Sequence, residues 1–443
     1  MGDALFRNFL RMSIFFSINH GCVVAVLGFA YGLLGKTGSY ANGSLYLTYA
    51  LTALIASTAL IEVMGPRRSL IVATALYSVY VLSFPLAMIT PNSQPAIEIT
   101  IAIFGGVIGG FAAGFLWSAQ GTYFATSAKH YAEEHGIELK AANTYLASVF
   151  AGIFLGMEVL LKLLPDTLSP LGNDLITLYM QEKHPKKISA QNLIVLIVYS
   201  SLAVFSVFGL CGIQQLGNVR KPQETALLAS AEGSRMSLKV MAAAVALWFE
   251  DPLVLLLAPI QVTFGVSAVM LGNVVTGSVV KDRFGEDWIT VGGLLTALVA
   301  ASAALLQFPF KQIASSRLGK MPLMLGGQGA LVTLAAIIFT QGAATLRRLD
   351  VLILCYLLQG IGRACYEGTN KALYADFFPS RSSAAFSNIV LANGVASASM
   401  FFLYPSIKDL MAGKLLPLIA LSLGVLTILS YLVAESLHRK RVH

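Results

Sequence analysis

Long apolar runs recur along this chain and constrain its fold more than any other feature. A bilayer core of about 30 Å is crossed by a helix of about 20 apolar residues, and runs of that length occur throughout the 443 residues. Only 12% of the residues are charged, whereas a soluble protein carries roughly a quarter. Because so few charges cannot cover a globular surface, the sequence predicts an all-α polytopic membrane protein.

The apolar runs form two sets of six, separated by a polar stretch. The predicted twelve transmembrane helices lie near 9–34, 42–64, 69–90, 97–125, 143–164, 190–214, 240–264, 288–310, 321–343, 349–369, 383–407 and 415–435. We therefore predict an N-terminal six-helix half over 1–215, a cytoplasmic linker over 216–239 and a C-terminal six-helix half over 240–443.

Short sequences recur at corresponding places in the two halves. GPRRSL at 65–70 follows the second predicted span, and GKMPL at 319–323 follows the eighth. Gln120-Gly121-Thr122 and Glu367-Gly368-Thr369 are a second such pair. This pattern favours two pseudo-symmetric six-helix bundles facing a midplane cavity. The short basic turns after spans two and eight resemble those of the major facilitator superfamily (MFS).

The distribution of basic residues predicts the orientation. Lys and Arg are more frequent in the loops that face inward when the N-terminus is cytoplasmic, so the positive-inside rule places both termini in the cytoplasm. The apolar segment 267–280 is too short for a thirteenth span. We expect it to extend span seven or to lie in the membrane interface.

Sequence signatures of catalysis are absent from the chain. It has no phosphate-binding loop, no HExxH, no GxSxG elbow and no paired Cys/His set. No basic face with interleaved aromatic residues indicates nucleic-acid binding. We expect a protein that is not an enzyme and that binds no cofactor, metal or nucleic acid.

Polar residues inside the predicted spans are the best candidates for function, since a charge at mid-bilayer costs roughly 2.5–3.5 kcal/mol. The cavity candidates are Asn19, His20, Trp117, Gln120, Tyr123, Glu158, Glu250, Asp251 and Gln261. Trp117 and Gln120 fit helix packing and interhelical hydrogen bonding as well as they fit a cavity. His20 fits a satisfied interior histidine or a proton relay.

Glu250-Asp251-Pro252 predicts a break in span seven. Pro252 cannot complete the helical hydrogen bonds and disfavours helical geometry at Asp251. Asp251 is then either a structural cap of the following helix or a carboxylate exposed to a cavity.

A second set of residues suggests a gate or latch. Arg363 and Glu367 lie one helical turn apart near the end of span ten, which predicts a salt bridge that either clamps the following loop or contacts substrate. The gate or latch candidates are Arg67, Arg68, Arg363, Tyr366, Glu367, Asn370 and Asp376.

Two sequence runs resemble a known family. They are Trp117-Ser118-Ala119-Gln120-Gly121-Thr122-Tyr123 and Glu367-Gly368-Thr369-Asn370-Lys371-Ala372, the latter followed by Asp376-Phe377-Phe378-Pro379. They resemble the Unc-ninety-three-like branch of the MFS. The resemblance implies twelve helices and cytoplasmic termini. GPRRSL departs from the general MFS pattern because it lacks the acidic residue that normally partners the arginines of this loop.

Members of the Unc-ninety-three-like branch include potassium-channel accessory subunits, trafficking chaperones and presumed transporters. The resemblance is therefore compatible with two functions. One is a transporter of a small solute or ion by alternating access, with Glu158, Glu250 or Asp251 coupling protons. The alternative is a non-transporting accessory subunit or chaperone that binds another membrane protein.

Overall fold

A computed structural model of the protein describes residues 2–168, 190–216, 245–379 and 381–442. These residues are almost entirely helical and contain no β-strand. The α-helices are α1 (Gly2–Leu34), α2 (Lys36–Ile55), α3 (Ser57–Met64), α4 (Pro66–Met88), α5 (Pro95–His135), α6 (Leu139–Leu168), α7 (Ala190–Cys211), α8 (Pro252–Val269), α9 (Lys281–Phe284), α10 (Trp288–Ala314), α11 (Met321–Thr340), α12 (Ala343–Leu346), α13 (Leu349–Ala364), α14 (Lys371–Phe377), α15 (Ser382–Ile407) and α16 (Leu415–Val442).

Ten helical segments of the described residues are long and apolar enough to cross a membrane. The longest, Pro252–Ala314, has 63 residues. A straight helix of that length would measure about 95 Å, three bilayer cores, so the segment contains the predicted spans seven and eight. Gly285, at φ +57°, supplies a non-helical turn between them. The predicted span two corresponds to α2 and α3, which are interrupted at Ala56.

Span seven has the predicted break and extends further than 264. Residues 245–250 are helical, Asp251 interrupts the helix and α8 begins at Pro252, while 240–244 lie outside the described residues. The segment 267–280 lies on a continuation of α8, with π-helical geometry from Met270 to Val280, so it extends span seven as the first alternative predicted. The predicted loop between spans seven and eight is therefore largely helical. The all-α polytopic membrane fold is confirmed.

The chain divides into two compact units. Unit one comprises Met1–Leu27 and Thr48–Lys239, and unit two comprises Gly28–Leu47 and Val240–His443. This division differs from the predicted halves in one segment, Gly28–Leu47. The predicted linker 216–239 lies outside the described residues from 217 onward.

Specific contacts explain why Gly28–Leu47 groups with unit two. The Ser39 hydroxyl donates to the Phe401 carbonyl at 2.6 Å and accepts from the Asn273 amide at 3.0 Å. The Phe29 ring packs edge-on against Trp288 with 5.7 Å between centroids. Unit two therefore includes the end of α1 and the first half of α2.

Candidate functional site

A buried ion pair in α6 is the main polar feature of unit one. Lys162 Nζ donates to Glu158 Oε1 at 2.7 Å, one helical turn away. The Lys162 and Glu158 side chains are only 9% and 2% exposed. Phe150 and Phe154 precede Glu158 at the same four-residue spacing, which makes successive side chains neighbours along a helix. α6 thus carries a continuous row of two phenyl rings and two opposite charges.

An aromatic cluster joins this row to α1 and α5. We define the aromatic cluster as Phe16, His20, Trp117, Phe150 and Phe154. The His20 ring lies 5.0 Å from that of Trp117 and 5.2 Å from that of Phe154, and Phe16 lies 5.0 Å from Trp117. The predicted candidates His20 and Trp117 therefore lie together, and Phe154, which both rings contact, is one helical turn from Glu158 on α6.

Close approach of α1 to α6 places the cluster beside the ion pair. A Cβ atom added to Gly21 would meet the Leu161 side chain at 2.5 Å and lie 3.7 Å from the Glu158 Cα. A larger residue at position 21 would therefore displace the Leu161 side chain where α1 crosses this turn of α6. Sequence reasoning missed Lys162 and Phe154 as site residues; the four-residue spacing of Phe154, Glu158 and Lys162 was the available signal.

The other unit-one candidates join helices to one another. The Asn19 amide donates to Ser78 Oγ at 2.9 Å, Ser206 Oγ at 3.1 Å and the Ala203 carbonyl at 3.2 Å. Gln120 is buried. Asn19 therefore connects α1 with α4 and α7, as a packing residue does.

Tyr123 makes a separate polar contact. Its hydroxyl donates to the Gln214 carbonyl and accepts from the Asn8 amide, both at 2.7 Å, and the Asn8 side-chain oxygen accepts from the Gln214 backbone amide. Tyr123 therefore ties α5 to α1 and to the residues after α7. Asn8 completes this network and was not among the predicted residues.

Arg67, in the first turn of α4, caps another helix. Arg67 donates to the Ile213 and Cys211 carbonyls at 2.7 Å each, and Arg11 donates to the Gly212 carbonyl at 3.1 Å. Carbonyl groups at a helix C-terminus lack intrahelical donors and attract cations. These backbone carbonyls are therefore the partners of Arg67 in the GPRRSL segment, which lacks an acidic residue. Arg68 is exposed.

The neighbouring arginines allow a matched test. We expect Arg67→Gln to lower the free energy of unfolding by about 1–2 kcal/mol, because it removes two charged hydrogen bonds from the end of α7. Arg68→Gln should change it by less than about 0.5 kcal/mol. Unfolding in mixed detergent micelles measures both. Equal losses in the two variants would contradict the capping role.

An amide cluster lies in the interior of unit two. Gln261 and Asn370 exchange two hydrogen bonds of 3.1 Å, and the Gln261 amide also lies 3.3 Å from the Tyr374 hydroxyl. Gln261 and Asn370 are both 0% exposed. The predicted cavity candidate Gln261 thus meets the predicted latch candidate Asn370, which links α8 to the segment after α13.

The charged pair of span ten lies where the helix changes geometry. Arg363 Nε donates to Glu367 Oε1 at 2.8 Å, at the entry to the π-helical stretch Cys365–Asn370. The Tyr366 ring stacks on Phe264 with centroids 3.8 Å apart. Such π-helical turns are frequent at functional sites. The Arg363–Glu367 bond itself stays within one helical segment and does not cross to the following loop.

Asp376 forms an ion pair that crosses between elements. Lys320, the N-cap residue of α11, pairs with the Asp376 carboxylate of α14 and donates to the Ala372 carbonyl at 3.0 Å. Sequence reasoning named Asp376 but missed Lys320. The recurrence of GPRRSL as GKMPL was the available signal. In each segment a basic residue, Arg67 or Lys320, donates hydrogen bonds to backbone carbonyls of another element.

Asp251 marks a broken helix and is engaged by arginines. Its backbone is extended (φ −135°), and its carboxylate accepts from the Leu253 amide at 3.1 Å, so it caps α8 as one alternative predicted. Arg441 Nη1 lies 3.0 Å from both carboxylate oxygens, and Arg381 lies 3.7 Å away. Glu250 is exposed and pairs with Arg381 at 2.6 Å.

Adjacent acidic residues provide a second matched test. We expect Asp251→Ala to destabilise the protein by about 2–3 kcal/mol, because it removes the helix cap and the partly buried ion pair with Arg441. Glu250→Ala should cost less than about 1 kcal/mol, the range of exposed pairs. Unfolding in mixed micelles provides the comparison. A larger effect at Glu250 would overturn this assignment.

Comparison with known proteins identifies the family and the fold. The family described as "Ion channel regulatory protein UNC-93" matches residues 33–432. UNC93-like protein 3 of Arabidopsis thaliana is 23% identical over 379 residues, which cover 84% of this chain and 74% of that protein.

Solved structures with a similar fold are membrane transporters. The nucleoside transporter NupG superposes with a TM-score of 0.66 at 10% identity, covering 96% of this chain and 98% of NupG. The xylose transporter XylE from E. coli, in a partially occluded inward-open conformation, gives a TM-score of 0.61 at 12% identity, covering 97% and 96% of the two chains. These similarities show the MFS fold. Because the family match covers most of the chain, this multi-pass membrane protein belongs to the UNC-93 family.

Proposed function

We propose that this protein transports a small solute or ion by alternating access, with the Glu158–Lys162 pair and the aromatic cluster as its binding site in unit one. The observation that carries the proposal is the buried ion pair itself. The MFS fold supports it, because this fold is the one seen in NupG and XylE.

The fold does not require an ion pair at this position. Apolar side chains of similar volume usually stabilise a protein interior as well as a buried ion pair does. Ionisable residues inside membrane spans mark substrate or ion pathways more often than packing sites. The partly exposed rings of His20 and Trp117 adjoin the pair through Phe154 and give the site an apolar wall.

The remaining predicted residues receive supporting roles in this proposal. Lys320–Asp376 acts as a latch in unit two, Arg363–Glu367 stabilises the turn where α13 becomes π-helical, and Asp251 anchors the start of α8. We further propose cytoplasmic termini, from the distribution of basic loops, and an absence of enzymatic activity.

A ligand screen tests the proposal directly. Purified protein is screened by thermal shift against ions, sugars, amino acids and organic anions, and each hit is tested for uptake into proteoliposomes. We expect at least one class to stabilise the protein and to be taken up. The Glu158→Gln/Lys162→Met double variant should lose both effects. A control double variant, Glu133→Gln/Lys129→Met, alters an exposed pair of the same spacing and should retain them. Uptake that survives in the Glu158/Lys162 variant would overturn the site.

The family description favours a second function. The UNC-93 family is described as ion channel regulatory, which supports an accessory subunit or chaperone that binds another membrane protein. Mild-detergent purification distinguishes the two functions. A stoichiometric membrane-protein partner, together with no response to any ligand class, would favour the accessory role and contradict transport.

A further inference from the structure

An open groove lies at the N-terminal end of α6, and none of its lining residues belongs to the Glu158–Lys162 site. It has a volume of about 500 Å³. Its lining residues recur at intervals of three or four positions and therefore share one face of the helix: Glu138, Ala141, Thr144, Tyr145 and Ser148. Glu138 directly precedes α6, and its carbonyl accepts a helical hydrogen bond from the Ala142 amide at 3.1 Å. We call this feature the α6 groove.

The Tyr145 ring forms an aromatic wall of the α6 groove. Tyr145 is 46% exposed and stacks on Phe6 and Tyr131, with centroids 5.9 and 5.7 Å away and interplanar angles of 27° and 23°. The Phe6 and Tyr131 centroids are themselves only 6.3 Å apart, too close for rings on opposite faces of Tyr145. Both rings therefore cover the same face, and the other face of Tyr145 is left to the groove.

Two neighbouring helices hold the Tyr145 ring in place. Phe6 belongs to α1 and Tyr131 to α5, and Tyr131 stacks in turn on His135 with 4.0 Å between centroids. A side chain that is already ordered loses little conformational entropy when a ligand binds. The open face of Tyr145 is therefore a preformed surface.

Glu138 is the charged residue of the α6 groove. Nearby, Glu133 is matched by Lys129 at 4.0 Å and by His130 at 3.6 Å. Glu138 forms no ion pair with the side chains that the structure describes. Helical side chains lean toward the N-terminus of their helix, so the Tyr145 ring leans toward Glu138. The groove thus combines an uncompensated carboxylate with an open aromatic face.

This combination favours an organic cation over other ligand classes. An aromatic face attracts an ammonium group within about 6 Å of the ring centroid, and the carboxylate supplies the opposite charge. An anion would be repelled by both groups. Ca²⁺ requires about six to eight oxygen ligands, whereas one carboxylate lines the groove. A quaternary ammonium carries its charge without N–H donors, so the ring face leaves no donor unsatisfied.

We propose that the α6 groove binds a quaternary ammonium group of the choline type. The ammonium lies over the open face of Tyr145, and Glu138 balances its charge. The group is supplied by a free cation or by a phosphatidylcholine headgroup, since the groove begins where α6 enters its membrane-spanning segment. The inference does not depend on transport at Glu158.

Three soluble probes separate the contribution of the charge from that of the methyl groups. Choline is compared with ethanolamine, which has a primary ammonium, and with 3,3-dimethylbutan-1-ol, in which a carbon atom replaces the nitrogen. Calorimetry on the full chain, in nanodiscs without choline lipids, measures the binding of each probe. We expect the neutral alcohol to bind at least about tenfold more weakly than choline, and ethanolamine at least about fivefold. Absence of choline binding, or equal binding of choline and the alcohol, would overturn the proposal.

Substitutions in the groove test the two groups that recognise the ligand. Tyr145→Leu should weaken choline binding at least about fivefold, whereas Tyr145→Phe should keep it within about twofold, because the phenyl ring presents the same face. Glu138→Gln should also weaken it about fivefold. Glu134→Gln removes an exposed carboxylate that does not line the groove and should have no effect. Choline binding that survives both Tyr145→Leu and Glu138→Gln would place the ligand elsewhere and refute the assignment.

The lipid of the nanodisc identifies the source of the ammonium group. A phosphatidylcholine headgroup in the groove would compete with added choline, whereas phosphatidylethanolamine would compete less. Choline binding at least about fivefold weaker in phosphatidylcholine than in phosphatidylethanolamine nanodiscs would assign the groove to the headgroup. Equal binding in the two lipids would assign it to a free cation. Both results support the quaternary ammonium site and differ only in its source.

Discussion

The Glu158→Gln substitution is expected to lower the free energy of unfolding by about 3–5 kcal/mol, because it leaves the Lys162 ammonium buried without that carboxylate. Lys162→Met should cost a similar amount for the converse reason. The double variant should recover most of the loss, since it removes both charges and puts a methionine of similar length in place of lysine. Unfolding in mixed detergent micelles measures all three.

The double-mutant cycle gives the coupling between the two charges and decides between structural and functional roles. Coupling of at least about 1.5 kcal/mol is expected for a buried pair, against less than about 1 kcal/mol for the exposed Lys129–Glu133 pair, whose atoms are 4.0 Å apart. A double variant as unstable as the singles would show that the pair is needed for folding. A stable double variant that no longer binds ligand would assign the pair to function.

Gln261→Leu is expected to destabilise unit two by about 2–4 kcal/mol. The substitution removes both hydrogen bonds to Asn370 and leaves a fully buried amide unsatisfied, and it also removes the contact with Tyr374. Asn370→Leu should cost a similar amount. The double variant Gln261→Leu/Asn370→Leu should cost less than the sum of the singles, because neither amide then remains to be satisfied.

Gln328 provides the matched control for this prediction. It is also a buried glutamine in unit two, but its side-chain oxygen has no hydrogen-bond partner among the described residues. Gln328→Leu should therefore be neutral or stabilising by up to about 1 kcal/mol. A loss at Gln328 equal to that at Gln261 would show that glutamine burial, and not the reciprocal amide bonds, determines the effect.

The membrane fold was predictable because hydropathy and length act locally. In lipid, a spanning segment must satisfy its backbone hydrogen bonds internally, so apolar runs of about 20 residues become helices whatever their neighbours are. The break at Asp251 was predictable for the same reason, since Pro252 disrupts the helix through its own covalent geometry.

The membership of the site was only partly predictable. Trp117 and Tyr123 lie on one helix, six residues apart, which turns them about 120° from each other around its axis. In the structure Trp117 joins the aromatic cluster, and Tyr123 bonds to Asn8 and Gln214 instead. Lys162 was missed as a site residue, because its role depends on the burial it shares with Glu158.

The sequence by itself determined the fold class, the broken helix and the family resemblance, because each depends on residues close together in the chain. Only the tertiary structure decided that Arg67 caps α7, that Lys320 pairs with Asp376 and that Gln261 meets Asn370. The physical reason is that a buried polar group must find a partner, and that partner is set by how the helices pack and not by their separation in sequence.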